Sequence, residues 1–284
     1  MYTENDSAVL SKTDFARLCG FIYDQCGIKL SLSKKVMVEA RLRKRVKDLN
    51  FQSYAQYCEY LFSPKGKVEE ITNMVDVITT NKTDFFREPR HFTYLSETAL
   101  PDLIKSYGTG IHHPLKAWSA GCSTGEEPYT LSIVLSEFAQ NYSRYSFEIL
   151  ATDISTKVLE KAALGIYEAE RIDPVSTNLK TKYFLQSKDK TKKTVRVNPA
   201  LRNYVNFQWL NFMDSDFGIN DKFDVIFCRN VIIYFDKPTQ DKLIEKLIRH
   251  LNPGGYFFLG HSESIFSTNL PVVQMAASTY KKTT

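Results

Sequence analysis

The chain has 284 residues, of which 43% are hydrophobic and 24% are charged, and its formal net charge is +5. These values are typical of a globular protein, and the length suits one large α/β domain beside a small one. No apolar run approaches the roughly 18 residues of a membrane helix, and the polar N-terminus is unlike a signal peptide. Five scattered cysteines form no C-x-x-C pair, and the five histidines show no metal-ligand spacing. We therefore expect a cytoplasmic protein without membrane insertion, disulfides or a metal.

The segment up to about residue 78 shows only helical patterns. A first helix is predicted to begin at a cap formed by Thr13 and Asp14 and to stop at Gly27. Ser33 is expected to cap a second helix with an apolar stripe on one face. That stripe consists of Val38, Leu42, Val46 and Leu49. Two further helices are predicted at 53–62 and 68–78, on either side of a turn at 63–66.

Basic residues are concentrated between positions 29 and 47, where Glu39 is the single acid. Arg41 and Arg45 are one helical turn apart and lie on a different face from the apolar stripe. This arrangement predicts a cationic surface that can attract an acidic partner. An ordinary solvated helix face would explain the same charges.

From about residue 115 the pattern alternates between short apolar runs and helical stretches. Strands are predicted at 115–119, 147–152, 205–210, 223–228 and 255–260, and helices at 130–139, 155–164 and 239–250. Such alternation predicts a mostly parallel α/β sheet with helices on both faces, which binds ligands beyond the carboxyl ends of its strands. Polar residues 172–201 interrupt the alternation and, around a predicted strand at 194–197, indicate an insertion with a small antiparallel sheet. A turn at 252–255 is expected before the last strand.

The first predicted strand is followed by a turn of small residues and then by two acids. Gly121 and Gly125 allow a tight turn and close approach of a ligand, and Pro128 suits the first turn of the next helix. A phosphate would need bare amides at this helix start, but Glu126 and Glu127 lie there instead. Their charge favours a cationic ligand such as S-adenosylmethionine (SAM) over a dinucleotide. An ordinary strand-to-helix turn with two favourably placed acids is the alternative.

Polar residues also follow the other predicted strands. Asp153 can accept hydrogen bonds from both hydroxyls of a ribose, although an Asp there can equally cap the next helix. Asn211 can meet the adenine edge while Phe212 packs nearby. The fourth strand is followed by Arg229 and Asn230, which can bind cofactor or substrate carboxylates. Beyond them, Tyr234 offers an aromatic wall with a hydroxyl, unless it and Phe235 simply cover the core.

Three sequence motifs occur in order: Thr-Thr-Asn-Lys-Thr-Asp-Phe-Phe-Arg-Glu at 79–88, Ser-Thr-Gly-Glu-Glu-Pro-Tyr at 123–129, and Cys-Arg-Asn-Val-Ile-Ile-Tyr-Phe at 228–235. With these motifs the sequence resembles the chemotaxis protein methyltransferases (the CheR family), which methylate glutamate side chains of chemoreceptors. The resemblance extends over nearly the whole chain, to the Gly-His-Ser-Glu-Ser segment at 260–264. It implies a helical N-terminal domain (1–78), a linker (79–92) and a SAM-binding Rossmann-like domain (93–284).

The resemblance also implies roles for individual residues, with S-adenosylhomocysteine as the product. The expected cofactor-binding residues are Asn81, Thr83, Arg87, Gly121, Glu127, Asp153, Asn211, Phe212, Arg229 and Asn230. The expected catalytic residues are Tyr234, Arg229 and Arg87. Arg41 and Arg45 are expected to bind the acidic helical methylation region of chemoreceptors. By local pattern alone, the linker residues would instead form the end of a helix that stops at Asn81.

Some features depart from the family or leave other functions open. Some family members bind a C-terminal receptor peptide through a glycine-rich loop in the insertion, but residues 187–193 carry lysines and no glycine, so this binding is not expected. The Arg-Asn-Val sequence after the fourth strand differs from the Pro-Pro-aromatic motif common in methyltransferases of exocyclic base nitrogens, so no nucleic-acid partner is expected. A methyltransferase for another protein or for nucleic acid, and a non-catalytic SAM-binding module, are the alternatives. We expect a monomer.

Overall fold

The computed structural model describes residues 9–189, 191–265 and 269–283. The helices are α1 (Lys12–Cys26), α2 (Lys35–Asp48), α3 (Tyr54–Phe62), α4 (Pro64–Glu69), α5 (Ile71–Ile78), α6 (Pro89–Tyr94), α7 (Leu100–Tyr107), α8 (Glu126–Ala139), α9 (Thr156–Leu164), α10 (Thr177–Tyr183), α11 (Pro199–Arg202) and α12 (Lys237–Arg249). The strands are β1 (Leu115–Ala120), β2 (Phe147–Asp153), β3 (Ile166–Glu168), β4 (Phe184–Gln186), β5 (Thr194–Val197), β6 (Val205–Trp209), β7 (Phe223–Cys228), β8 (Leu251–Leu259), β9 (Val272–Ala276) and β10 (Thr279–Lys282). The predicted α/β sheet with a helical N-terminal part is therefore confirmed.

The large sheet has seven strands in the order β6-β2-β1-β7-β8-β10-β9. The strands from β6 to β8 pair in parallel, whereas β10 pairs antiparallel with β8 and β9. The chain runs outward from β1 to β2 and β6 and then returns to the other side of β1 with β7. Sheets of this kind bind ligands at such a reversal of strand order, beyond the carboxyl ends of the strands.

Both faces of the central strands are buried. Successive side chains of a strand point to opposite faces, and here each face packs in a different core. Ala117 and Phe227 belong to a core with side chains of α6, α7 and α8, whereas Trp118 and Ile226 belong to a core with α12. This explains why these strands appear in the sequence as continuous apolar runs.

A second, three-stranded antiparallel sheet, with order β3-β5-β4, lies between α9 and β6 in the chain. We call residues 166–197 the insertion. The predicted start at 172 was wrong, since β3 begins at Ile166; a strand of three residues is too short to show an alternating pattern. The lysine-bearing loop at 187–193 joins β4 to β5, and Lys190 lies outside the described residues.

Three predicted helix boundaries in the N-terminal part differ from the structure. The cap of α1 is Ser11, whose Oγ accepts a hydrogen bond from the Asp14 amide at 2.9 Å, while Gly27 ends the helix as predicted, with φ of 71°. Ser33 lies inside a 3-10 turn before α2 instead of capping it. The predicted turn at 63–66 is the start of α4, because Ser63 caps a helix with Pro64 at its first position.

The helical N-terminal part has its own core, which includes Val38, Leu42 and Val46 as predicted. Leu49 lies just beyond the end of α2 and is only partly buried. The exposed cations of α2 are Arg43, Lys44 and Lys47.

Arg41 and Arg45 are not the free cationic row that the helical pattern predicted. The Arg45 Nε donates to Glu70 Oε1 at 2.9 Å, and Glu70 is only 1% exposed. Arg41 donates to the backbone carbonyls of Ile78 and Thr79 at the end of α5. The helical period placed Arg41 and Arg45 on a different face of α2 from the apolar stripe. It could not show that Glu70, just before α5, and the carbonyls at the end of α5 would bind them.

Two features at the end of the sheet also differ from prediction. Residues 252–255 are not a separate turn: they belong to β8, whose register with β7 shifts between Phe223 and Val225. The hairpin of β9 and β10 extends the sheet and was not predicted. In the part of the chain that the structure describes, no helix has the length and apolar character needed to cross a bilayer.

Candidate functional site

A cleft opens at the carboxyl ends of β1, β2, β6 and β7, where the strand order reverses. Its empty volume, including the open mouth, is about 870 Å³, within the usual range for small-molecule sites. All the residues expected to bind the cofactor, together with Tyr234, line this cleft, whereas Arg41 and Arg45 lie outside it. The tertiary structure therefore brings together residues from the linker and from four strand ends.

The turn after β1 brings the main chain to the floor of the cleft. Gly121 has φ of 85°, and a Cβ atom added to it would lie 2.5 Å from a methyl carbon of Val231. The amides of Gly121 and Cys122 both donate to the Thr152 carbonyl, at 2.8 and 2.9 Å, which fixes the turn against the end of β2. Glycine is required here because of both the backbone conformation and the close contact.

Asp153 is the last residue of β2 and is 8% exposed. It accepts hydrogen bonds from the amides of Ser123 and Ser155, at 2.8 and 2.9 Å. Burial raises the pKa of this carboxyl, and the amide hydrogen bonds oppose the rise. A carboxylate has about four lone-pair sites, so two remain for the hydroxyls of a ribose. Ser155, rather than Asp153, is the cap of α9.

The two acids at the start of α8 have different environments. Glu127 lines the cleft, where its Oε1 accepts from Ser119 Oγ and its Oε2 from Arg229 Nε, each at 2.7 Å. Glu126 is 1% exposed and instead forms an ion pair with Arg171, at 2.6 Å. The expectation that both acids serve a cationic ligand is therefore corrected, because only Glu127 lines the cleft.

Arg229 is a buried cation whose side chain is 2% exposed. Besides Glu127, it donates through Nη1 to the Arg87 carbonyl at 2.8 Å and lies 3.1 Å from His91 Nδ1. Its guanidinium also lies over the rings of Phe92 and Phe227, about 5 Å from their centroids. Arg229 thus ties α8 to the linker. The role predicted for it in substrate orientation stays a prediction.

The first part of the linker, residues 79–88, crosses the cleft without helical structure, whereas the predicted linker end at 92 lies inside α6. Helix α5 ends at Ile78, and Thr79 is extended. The Asn81 carbonyl accepts from Ser123 Oγ at 3.0 Å, and Arg87 donates to the Lys82 carbonyl at 3.0 Å. The first contact holds the linker against the turn that follows β1, and the second is internal to the linker.

The loop after β7 is held by a residue that the sequence analysis did not assign. Glu263 is 4% exposed and accepts from the amides of Asn230 and Gly260, at 2.8 and 2.7 Å, and of Ile233, at 3.3 Å. Burial raises the pKa of this carboxyl. Asn230 has φ of 59°, a conformation that non-glycine residues rarely adopt, and its amide needs this acceptor. Only the acid in the Gly-His-Ser-Glu-Ser segment hinted at such a role.

Asn211 joins the cleft to the helical N-terminal part. Its Nδ2 donates to the Gln25 carbonyl at 2.7 Å, and its Oδ1 accepts from the Met213 amide at 3.0 Å. One amide hydrogen and one lone pair therefore remain for the predicted contact with adenine. Cys26 and Ile28 also line the cleft, and burial raises the pKa of the Cys26 thiol to about 11. Nothing in the local sequence pattern pointed to these two residues.

One cluster of side chains beside the cleft has the spacing of a metal site: ligand atoms of Glu88, His91 and His261 lie within 4.8 Å of one another. An arginine can only donate, so His91 Nδ1 accepts from Arg229 and Nε2 carries the proton. Burial and the Arg229 charge lower the His91 pKa to about 4, so the ring is neutral. Hydrogen bonding with Arg229 therefore accounts for the Nδ1 atom of His91 in this cluster.

Almost the whole chain matches a known protein family. Residues 81–281 match the family described as CheR methyltransferase, SAM binding domain, and residues 13–79 match its all-alpha domain. Similar proteins include the chemotaxis protein methyltransferase of Borreliella burgdorferi, which is 40% identical over 96% of this chain and 95% of the relative. Chemotaxis protein methyltransferase 2 of Pseudomonas aeruginosa is 37% identical over 95% and 93%. The chemotaxis protein methyltransferase of Salmonella typhimurium is 37% identical over 90% and 85%.

These matches confirm the predicted cofactor, and the donors and acceptors of the cleft fit it. Asp153 suits the ribose, Glu127 a positive charge, and the glycine turn a closely approaching ligand. The chain therefore belongs to the CheR methyltransferase family and is a SAM-dependent methyltransferase.

Proposed function

We propose that the chain transfers the methyl group of SAM to glutamate side chains of chemoreceptors at the cytoplasmic side of the membrane. The observation that carries this proposal is the name shared by the relatives, chemotaxis protein methyltransferase, at 34–40% identity over at least 90% of this chain. The products would be a glutamyl methyl ester and S-adenosylhomocysteine.

The residues of the cleft suit a substrate that is already an anion. A glutamate carboxylate has an unperturbed pKa of about 4.3, so it needs no general base at neutral pH. Among the described residues that line the cleft there is no histidine, and Glu127 is engaged by Arg229. Bound SAM supplies a methyl group activated by a sulfonium. A substrate carboxylate oxygen would bond to the methyl carbon as the carbon–sulfur bond breaks, its electron pair remaining on sulfur, without proton transfer.

The protein's contribution is then mainly to hold the reactants in line, which can supply roughly 7–11 kcal/mol. Arg87 and Tyr234 both line the cleft, one from the linker and the other from the loop after β7. We propose that Arg87 orients the incoming carboxylate and that Tyr234 walls the transferred methyl group. Arg229, which is tied to Glu127 and to the linker, would stabilise both sides of this arrangement.

The cationic face of α2 suits an acidic helix as partner. Arg43, Lys44 and Lys47 are exposed, and Arg41 binds the first residues of the linker beside the cleft. Contacts of Arg41 and Arg45 with the receptor stay a prediction, because both side chains also have partners within the chain. If this face attracts the receptor, the methylation rate should fall with ionic strength, and less steeply in Lys44→Glu. An unchanged salt dependence in that variant would argue against it.

Receptor-containing membranes and methyl-labelled SAM give the direct test. We expect label in the receptor that is released by mild alkali, as a glutamyl ester is, and no label with membranes that lack the receptor. Alkali-stable label, or label in added nucleic acid, would support one of the alternative substrates. Absence of transfer despite SAM binding would indicate a regulatory module. We further propose a monomer that does not use a receptor peptide tether, which size-exclusion chromatography and removal of the receptor tail can check.

A further inference from the structure

Arg171, in the 3-10 turn after β3, is a side chain of the insertion that contacts residues at and beside the cofactor cleft. Its guanidinium reaches three partners in two other parts of the chain. Nη1 donates to Asp84 Oδ1 at 3.0 Å, and Nη2 donates to the Thr83 carbonyl and to Glu126 Oε1, the latter at 2.6 Å. Arg171 therefore joins the linker to the first residue of α8.

Two of the three partners of Arg171, Thr83 and Glu126, lie at the cleft or next to a residue that lines it. Thr83 itself lines it, and Glu126 directly precedes Glu127, which is bound to Arg229. Glu126 is 1% exposed, and its other side-chain partner is the hydroxyl of Thr124, at 2.6 Å. Loss of the Arg171 charge would leave a buried carboxylate poorly compensated at the helix start, which is costly.

The core of the insertion also holds the linker. Phe85 is 1% exposed and lies edge-on against Tyr167 and Phe184, with ring centroids 5.1 and 5.4 Å away. The Tyr167 hydroxyl donates to the Thr124 carbonyl at 2.7 Å, in the turn between β1 and α8. Two contacts therefore anchor the linker on the insertion. The Phe85 ring packs against Tyr167 and Phe184, and the Arg171 side chain donates to the Thr83 carbonyl.

We propose that Arg171 is a positioning residue for SAM binding, so that the insertion is part of the cofactor site. Arg171 holds the Thr83 carbonyl and the Glu126 carboxylate in fixed positions, and it thereby sets the distance between the linker and the start of α8 across the cleft. A planar guanidinium can serve these partners at once, whereas an ammonium is a single point charge.

The test compares Arg171→Ala with Lys182→Ala. Lys182 is a matched control, because it also lies in the insertion and pairs with α8, but at the far end, with Glu137 at 2.6 Å. We expect Arg171→Ala to raise the SAM dissociation constant, measured by calorimetry, roughly tenfold, and Lys182→Ala to leave it within about twofold of the wild type. At saturating SAM, the turnover number and the KM for receptor should change little in both variants.

Two further variants keep the result decisive if Arg171→Ala does not fold, as judged by circular dichroism. Arg171→Lys retains a charge near Glu126 but not the fork, so its dissociation constant should lie between those of the wild type and Arg171→Ala. Glu126→Gln should also weaken SAM binding, because it removes the charge that Arg171 anchors. A wild-type dissociation constant in folded Arg171→Ala or in Arg171→Lys would overturn the proposal. An equal loss in Lys182→Ala would overturn it as well, since the effect would then be a general loosening of the insertion.

Discussion

At the scale of single residues, two acids that line the cleft have different environments. Asp153 ends β2 and Glu127 is the second residue of α8, but Asp153 accepts only backbone amides whereas Glu127 is paired with a buried cation. Asp153 therefore keeps its remaining lone pairs for a neutral donor such as a ribose hydroxyl. Glu127 is fixed in charge and orientation by Arg229. Spacing alone cannot distinguish these two environments.

The ribose assignment predicts that Asp153→Ala weakens SAM binding by at least about tenfold, because hydrogen bonds to a charged group contribute roughly 1.5–3 kcal/mol. Calorimetric titration with SAM is the measurement. Glu160→Ala, at an exposed acid on the neighbouring α9, should bind like the wild type. Unchanged affinity in Asp153→Ala would refute the assignment.

Tyr234 should act on turnover rather than on binding. It ends the 3-10 turn after β7, and its carbonyl accepts from the Lys29 amide at 2.9 Å, which fixes the main chain at this position. We expect Tyr234→Phe to lower the turnover number about tenfold, the equivalent of one hydrogen bond, and to leave the SAM dissociation constant unchanged. Tyr204→Phe, at an exposed tyrosine, is the control. A normal turnover number in Tyr234→Phe would remove the hydroxyl from the mechanism.

His91 predicts a pH dependence of stability. Its pKa in the folded chain, about 4, is below its ordinary value of 6.5, so the unfolded chain binds the proton more readily. Stability is therefore fully present above 6.5 and is lost as the pH falls toward 4. Between pH 7 and about 4.5, the wild type should lose about 2 kcal/mol more unfolding free energy than His91→Gln, which retains an acceptor for Arg229. Urea denaturation at both pH values is the measurement. An equal loss of unfolding free energy in the wild type and in His91→Gln would contradict this.

At the scale of elements, α2 has an apolar stripe, an exposed cationic face, and between them arginines that hold other parts of the chain. Arg45 and Tyr57 both donate to Glu70, at 2.9 and 3.1 Å, and Glu70 lies between α4 and α5. Arg41 binds the end of α5, where the linker begins. Helix α2 therefore positions the linker as well as presenting charge.

This arrangement predicts that Arg45→Ala destabilises the fold although it replaces a surface-helix residue. Glu70 would be left buried without its cation, at a cost of about 2 kcal/mol or more. Lys44→Ala, on the exposed face, should change the unfolding free energy by less than about 0.5 kcal/mol. Denaturant unfolding of both variants tests this, and equal stabilities would show that the Arg45 pair contributes nothing.

At the scale of the whole molecule, the cleft is shared between the helical N-terminal part, the linker and the large sheet. Asn211 donates to the Gln25 carbonyl, the Lys29 amide donates to the Tyr234 carbonyl, and Tyr23 donates to Asp236 at 2.9 Å. A cofactor in the cleft would therefore contact parts of the chain that are far apart in sequence, and its binding should order them together.

Hydrogen exchange can test this coupling. Addition of SAM at about ten times its dissociation constant should slow exchange in segments 26–29 and 79–87 roughly tenfold, together with the turn at 121–125. Segment 54–62, in α3 and away from the cleft, serves as the control and should not change. Protection confined to the turn would mean that the helical part and the linker do not take part in binding.

Much of this protein could be predicted from its sequence, because the signals are local. Apolar runs and helical periods placed the five parallel strands and most helices, and glycines and acids at strand ends marked the cofactor site. Resemblance to a family added Asn81, Thr83 and Arg87, which a local pattern would have placed at a helix end. What only the tertiary structure decided are the partners: Glu70 for Arg45, Arg171 for Glu126, and Glu263 for the amides after β7. Because these pairs join residues that are distant in sequence, no periodicity or spacing predicts which buried charge will meet which donor.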